Sequence, residues 1–154
     1  MRRREAIAAS ASAVAANAVW ALTGCGAQST GTPVEHPPAA LSSEQLEALV
    51  RSCAECAATC ETCVARSIEH AIAGMTEMGA CARLSRECAE LCRAVIVLAT
   101  AGSSRLPDLA RICAAACDEC AAQCRQHASM EPACAHCAEV CPRCAEACRA
   151  AAAA

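Results

Sequence analysis

The sequence predicts an all-α protein, an antiparallel up-down-up-down four-helix bundle with a cysteine-lined core. Three observations predict it. Sixteen of the seventeen cysteines fall into four clusters, and every step within a cluster is three, four or seven residues. An α-helix turns once per 3.6 residues, so such steps stack side chains in one stripe along one face. Between the clusters stand Gly74, Gly102, Pro107 and Pro132, residue types that close and open helices. No stretch shows the apolar–polar alternation of a strand. Connections of a few residues make consecutive helices antiparallel neighbours.

The elements follow in order. Arg2-Arg3-Arg4 precede a mildly apolar, alanine-rich run from Ala6 to Leu22, the n-region and h-region of an export signal. The paired arginines resemble a twin-arginine signal, although Glu5 and Ala6 depart from its consensus. Leu22-Thr23-Gly24-Cys25 resembles a bacterial lipobox, in which Cys25 becomes the lipidated first residue and a membrane anchor. Ordinary cleavage near Ala27 is the alternative. Residues 1–24 are therefore read as a signal, and the product as exported, either periplasmic or a membrane-anchored lipoprotein. Residues 25–41 are rich in Gly, Ser, Thr and Pro without periodicity, which describes a flexible tether carrying a solvated His36. Residues 42–154 form the bundle.

Within the bundle, Ser42 followed by Gln45 has capping-box spacing and opens a first helix to about Ala73, stopped by Gly74. A second runs from near Thr76 to before Gly102. Pro107 at a first helical position, with Asp108 behind it, opens the third, which reaches about Ala128. Pro132 opens the fourth, which fades into the alanine tail. Pro142 lies inside it and should bend it or start a new segment.

The cysteine stripes are Cys53, Cys56, Cys60 and Cys63; Cys81, Cys88 and Cys92; Cys113, Cys117, Cys120 and Cys124; and Cys134, Cys137, Cys141, Cys144 and Cys148. Extended in steps of three and four, they gather Leu46, Leu49, Val95, Ala99, Leu106, Leu109 and Ala151 at one end as an apolar plug. At the other end they gather His70, Met78, His127 and Met130, with Met75 in the nearby loop, as a mouth through which ions enter. His136 falls off the stripe and should be exposed. Ser67 and Ser85 stand in the stripes where a sulfur could be.

Composition narrows the chemistry. The chain has 154 residues, one domain by length, and its 56% apolar fraction is largely alanine and cysteine. Tyr and Phe are absent, and the single Trp20 lies in the signal. A stripe of free cysteine could simply be a small-residue core, yet four successive helices would each have to choose it over leucine. The net charge of −3 comes from scattered acids and arginines, so nucleic-acid binding has no support. Thioredoxin-like chemistry needs a βαβ setting, and Cys134-Cys137-Cys141-Pro142 lacks one cysteine of the bacterial ferredoxin run. Cysteines along one helix face are poorly placed for disulfides, and structural zinc wants closed four-ligand sites. Soft thiolates select Cu(I) and zinc. If each Cu(I) takes two sulfurs and each sulfur serves two ions, capacity approaches one ion per bundle cysteine, about 16. No nucleophile–base pair appears, so an enzyme is not expected. An exported thiol redox buffer and a zinc-binding structural protein remain the alternatives.

The repeated CxxC and CxxxC helices behind a twin-arginine-like segment resemble the bacterial copper storage proteins, over about residues 42–150. The resemblance implies Cu(I), many ions per chain, held by the sixteen bundle cysteines, with ions entering at the His and Met end. It implies copper ions as cargo, copper chaperones or a copper enzyme as partners, and a homo-oligomer, often a tetramer. Ser85 departs from an otherwise regular stripe, leaving its level one ligand short.

Overall fold

The computed structural model describes residues 41–154. The signal reading of residues 1–24, the lipobox Cys25 and the tether up to residue 40 lie outside the described residues. What is described consists of four helices: α1 Ser43–Ile72, α2 Met78–Thr100, α3 Leu106–Arg125 and α4 Pro132–Ala152. The expected bundle is therefore present.

Each boundary has a local cause. Gln45 N–H donates to Ser42 Oγ at 3.2 Å, and Ser42 N–H donates to Gln45 Oε1 at 2.8 Å, which completes the capping box of α1. Helices α1 and α2 end on Gly74 and Gly102, at φ of 105° and 62°, backbone positions that glycine reaches without steric cost. Past each glycine the chain turns back: Met75 N–H donates to the His70 carbonyl and Ser103 N–H to the Leu98 carbonyl, both at 3.0 Å. Pro107 lies in the first turn of α3, where its missing N–H costs nothing. Glu131 caps α4, its side chain accepting from Ala133 N–H at 3.0 Å.

Two boundaries differ from expectation, and one of the two outcomes expected at Pro142 is not seen. Helix α2 begins at Met78 because residues 75–77 form a tight turn in which Met78 N–H donates to the Met75 carbonyl. Helix α3 stops at Arg125, since His127 N–H already reaches back only three residues, to Cys124. Helix α4 runs through Pro142 as one element and starts no new segment. Burial of Val140, Cys141, Cys144 and Ala145 on either side outweighs the one hydrogen bond that proline cannot donate.

Around the ring α1 packs on α2 and α4, and α3 packs on α2 and α4, most extensively in the pairs α1/α2 and α3/α4. Buried alanines at 57, 89, 110, 114, 121 and 145 let the backbones approach closely. Register is reinforced at the surface. Glu61 on α1 accepts from Arg86 and Arg93 on α2, Glu55 on α1 pairs with Arg143 on α4, and Asp118 on α3 with Arg149 on α4. Such exposed pairs contribute about 0–1 kcal/mol each, so they orient the helices more than they hold them.

Leu49, Met78, Val95 and Val140 are the largest fully buried side chains; apart from Val64 and Leu106, the remaining buried hydrophobic residues are cysteine and alanine. Neutral thiols behave as small hydrophobes, so the bundle does not depend on a bound ion for its packing. The metal-free, reduced protein is expected to give a fully helical far-UV circular dichroism spectrum that changes little on loading. A metal-free chain that is disordered and folds only with metal would contradict this and place it with zinc-finger-like domains.

Candidate metal centre

All sixteen bundle cysteines are buried and unpaired. Their sulfurs meet between helices. The Sγ–Sγ distances include 3.5 Å for Cys88–Cys117, 3.6 Å for Cys60–Cys137 and Cys120–Cys137, and 3.7 Å for Cys56–Cys141 and Cys92–Cys113. A disulfide needs about 2.05 Å, so these are separate thiols. With a metal–sulfur bond of about 2.3 Å, three sulfurs around one ion stand about 4.0 Å apart. The lattice is thus nearly at ligand spacing before any ion arrives.

Three four-sulfur groups follow one another: Cys56, Cys88, Cys92 and Cys117; Cys56, Cys60, Cys88 and Cys141; and Cys60, Cys120, Cys137 and Cys141, each with its sulfurs within 4.8 Å of one another. Cys56, Cys60, Cys88 and Cys141 each belong to two of them. Cys53, Cys144 and Cys148 close the column toward the plug, and Cys63, Cys124 and Cys134 close it toward the mouth. Cys113 lies 3.7 Å from Cys92, and Cys81 lies 4.0 Å from Cys134; these two edge thiols belong to none of the close groups.

The sulfurs also set one another's acidity. Cys117, hydrogen-bonded to Cys88, is the main reason that thiol falls to about 7, and Cys124, then Cys134, lower Cys81 to about 4. Cys60 moves the other way, raised by its bonds to Cys120 and Cys137 and by burial. Neighbours move in opposite directions because a thiolate is stabilised by adjacent thiols that keep their protons. A column of bare thiolates would repel itself at these distances. Deprotonation must therefore be matched by cations, and one monovalent ion per thiol leaves the column neutral. A divalent ion reaches neutrality at half that number.

The ends differ as expected, with two corrections. At the plug Leu49, Val95, Ala99, Leu106 and Ala151 are buried, but Leu46 and Leu109 are only partly covered. On α3 the buried position is Ala110, because a step of three rather than four leads back from Cys113. At the mouth Met78 and His127 are buried and Met75 packs against the core, while His70 is half-buried. Met130 is 46% exposed and is not buried with the other residues at this end. It precedes the start of α4, so the helical stripe does not extend to it. His136 is exposed, off the stripe.

A carboxylate at the mouth escaped the sequence reading. Glu131, 3% exposed, lies 2.6 Å from His70 Nε2 and 3.6 Å from Arg66 Nε. The Ala133 N–H it accepts, then His70 and Arg66, hold its carboxyl below the usual carboxylate range. It ties the end of α1 to the start of α4 and occupies the His70 Nε2 edge, which leaves Nδ1 as that ring's other nitrogen. An acid directly before a helix-opening proline was the only signal of it. Gln123 Nε2 similarly lies 3.4 Å from His127 Nε2.

Comparison with known proteins agrees with this geometry. A family model described as copper storage protein matches residues 42–153. An uncharacterized cysteine-rich protein of Bacillus subtilis, YhjQ, is 31% identical over 81 residues, covering 53% of this chain and 73% of that protein. The structure of Cu(I)-bound copper storage protein BsCsp3 matches with a TM-score of 0.65 at 30% identity, over 71% of this chain and 99% of that one. The apo form of Bacillus subtilis copper storage protein 3 matches with a TM-score of 0.62 at 32% identity, over 70% and 98%. A histidine-to-alanine variant of Streptomyces lividans Ccsp matches with 0.65 at 28%, over 75% and 98%.

Proposed function

This chain belongs to the copper storage protein family, and from that premise we infer that it binds many Cu(I) ions on its thiol column and holds them in store. The observation that carries the reading is the sharing of Cys56, Cys60, Cys88 and Cys141 between successive four-sulfur groups. Isolated zinc sites share no ligands, whereas a soft monovalent ion that needs two or three sulfurs can use each thiolate as a bridge. Uptake is an exchange at sulfur in which each Cu(I) forms Cu–S bonds as a thiol releases its proton. The buried lattice has no open coordination position reaching solvent, which fits retention of the ion and a non-catalytic role.

The wider reading joins several proposals. The mouth is the end bearing His70, Met75, Met78 and His127. The chain is exported behind residues 1–24 and is periplasmic or anchored through Cys25. It assembles as a homo-oligomer, a tetramer, and exchanges copper with copper chaperones or a copper enzyme. The sequence support for export is the arginine-led apolar segment and the Leu22–Cys25 lipobox-like run.

The storage reading is tested by anaerobic titration of the reduced protein with Cu(I) and, separately, with Zn(II), counting ions per chain. The expected Cu(I) number approaches that of the bundle cysteines, about 16, with zinc taken up in far smaller number or more weakly. Saturation at four Cu(I) or fewer would contradict storage. A protein that instead takes up no ion and cycles its thiols to disulfides would be the redox buffer.

A further inference from the structure

The thiol column is interrupted once, by a hydroxyl. Ser85 occupies the α2 stripe between Cys81 and Cys88 and is fully buried. Its Oγ lies 3.4 Å from Cys120 Sγ and 3.9 Å from Cys124 Sγ. On the mouth side of it Cys63 contacts Cys124 and Cys134 at 3.7 Å, and Cys134 contacts Cys81 at 4.0 Å. On the other side Cys120 contacts Cys137, which leads through Cys60 and Cys141 to Cys56 and Cys88. The close sulfur groups fall on either side of this level, with Cys63, Cys124 and Cys134 on the mouth side and Cys60, Cys120, Cys137 and Cys141 on the other. Ser85 touches both. A second buried hydroxyl, Ser67, lies 3.8 Å from Cys63 on the same helix, one turn nearer the mouth. The four mouth-side thiols are therefore bracketed by hydroxyls.

Resting on the storage reading, we propose that Ser85 divides the copper store into two pools: an outer one on Cys63, Cys81, Cys124 and Cys134, which exchanges with copper carriers, and an inner one that is held. A neutral hydroxyl is a hard, weak donor to a soft monovalent ion, so no Cu(I) is bridged by sulfur across the Ser85 level. An ion moving inward leaves one thiolate set before it is fully held by the next. That step slows exchange for the inner ions and leaves the outer ones, beside the mouth, free to leave first. The partition gives a store that surrenders a small fraction on demand and keeps the rest.

The test is anaerobic removal of copper from the fully loaded protein by the Cu(I) chelator bathocuproine disulfonate, in the wild-type chain, Ser85→Ala and Ser85→Cys. The wild type is expected to release copper in two phases, the fast one carrying about a quarter of the ions, in proportion to four thiols of sixteen. Ser85→Ala, which also lacks a sulfur, keeps both phases. Ser85→Cys supplies the missing bridge, raises capacity by about one ion and merges the phases. Cys81→Ala with Cys134→Ala lowers the fast amplitude and leaves the slow one. A single phase in the wild type at full capacity, or the same change in Ser85→Ala and Ser85→Cys, overturns the partition while leaving storage intact. A wild-type capacity of four ions or fewer would overturn storage itself.

Discussion

Replacing Cys56, Cys60, Cys88 and Cys141 together by serine is expected to remove between about four and eight Cu(I) ions from a capacity of about 16. Each of these thiols sits in two successive four-sulfur groups, so its loss leaves two sets of neighbours short of a ligand. The lower figure applies if the remaining sulfurs rearrange to hold the bereft ions, the upper if they do not. The comparison variant replaces Cys81 and Cys113, which belong to none of the close sulfur groups. It should lose about two ions at most. Both sets bury serine hydroxyls at a cost of about 1–3 kcal/mol per unsatisfied group, so helicity is measured alongside capacity. A smaller loss per thiol in the central variant than in the edge variant would mean that the central sulfurs are not shared.

The second large effect is kinetic. With His70, Met75, Met78 and His127 all changed to leucine, Cu(I) uptake and removal should slow while final capacity stays nearly unchanged. Imidazole and thioether ligands bind the ion more weakly than thiolate and pass it inward, and the thiol column that sets capacity is untouched. Loss of about 1.4 kcal/mol of transient binding slows the transfer about tenfold. Met130→Leu alone should have no effect, because that side chain faces solvent. Leu49→Ala with Leu106→Ala at the other end should cost stability, about 2–5 kcal/mol for each buried leucine, without changing the rate. Unchanged uptake in the mouth variant with altered uptake in the plug variant would place the entrance at the opposite end.

The bundle and its column were legible because cysteine marks the buried face with almost no ambiguity. Every one of the sixteen clustered positions is buried, and Ser67 and Ser85, placed in the same stripes, are buried with them. Legibility faded where the helical period ended. Met130 was placed by counting back from Cys134 past the start of α4, where helical spacing no longer governs direction. Leu109 and Ala110 are both one turn from Cys113, and only packing decides which faces inward. Pro142 breaks a local rule that burial on both sides overrides. Glu131 was invisible for a different reason. Its role depends on His70 and Arg66, more than sixty residues away in sequence, meeting it across the end of the bundle.

The central claim is that copper fills the sulfur column itself, and the most direct measurement is to locate the ions. Crystals of the fully Cu(I)-loaded protein, with diffraction collected on both sides of the copper absorption edge, give each copper position by anomalous difference. The account predicts copper peaks along the bundle axis, from the level of Cys63, Cys124 and Cys134 to that of Cys53, Cys144 and Cys148, each within bonding distance of two or three sulfurs. Peaks confined to His70, His127 and surface histidines, with the central sulfurs unoccupied at saturation, would contradict it.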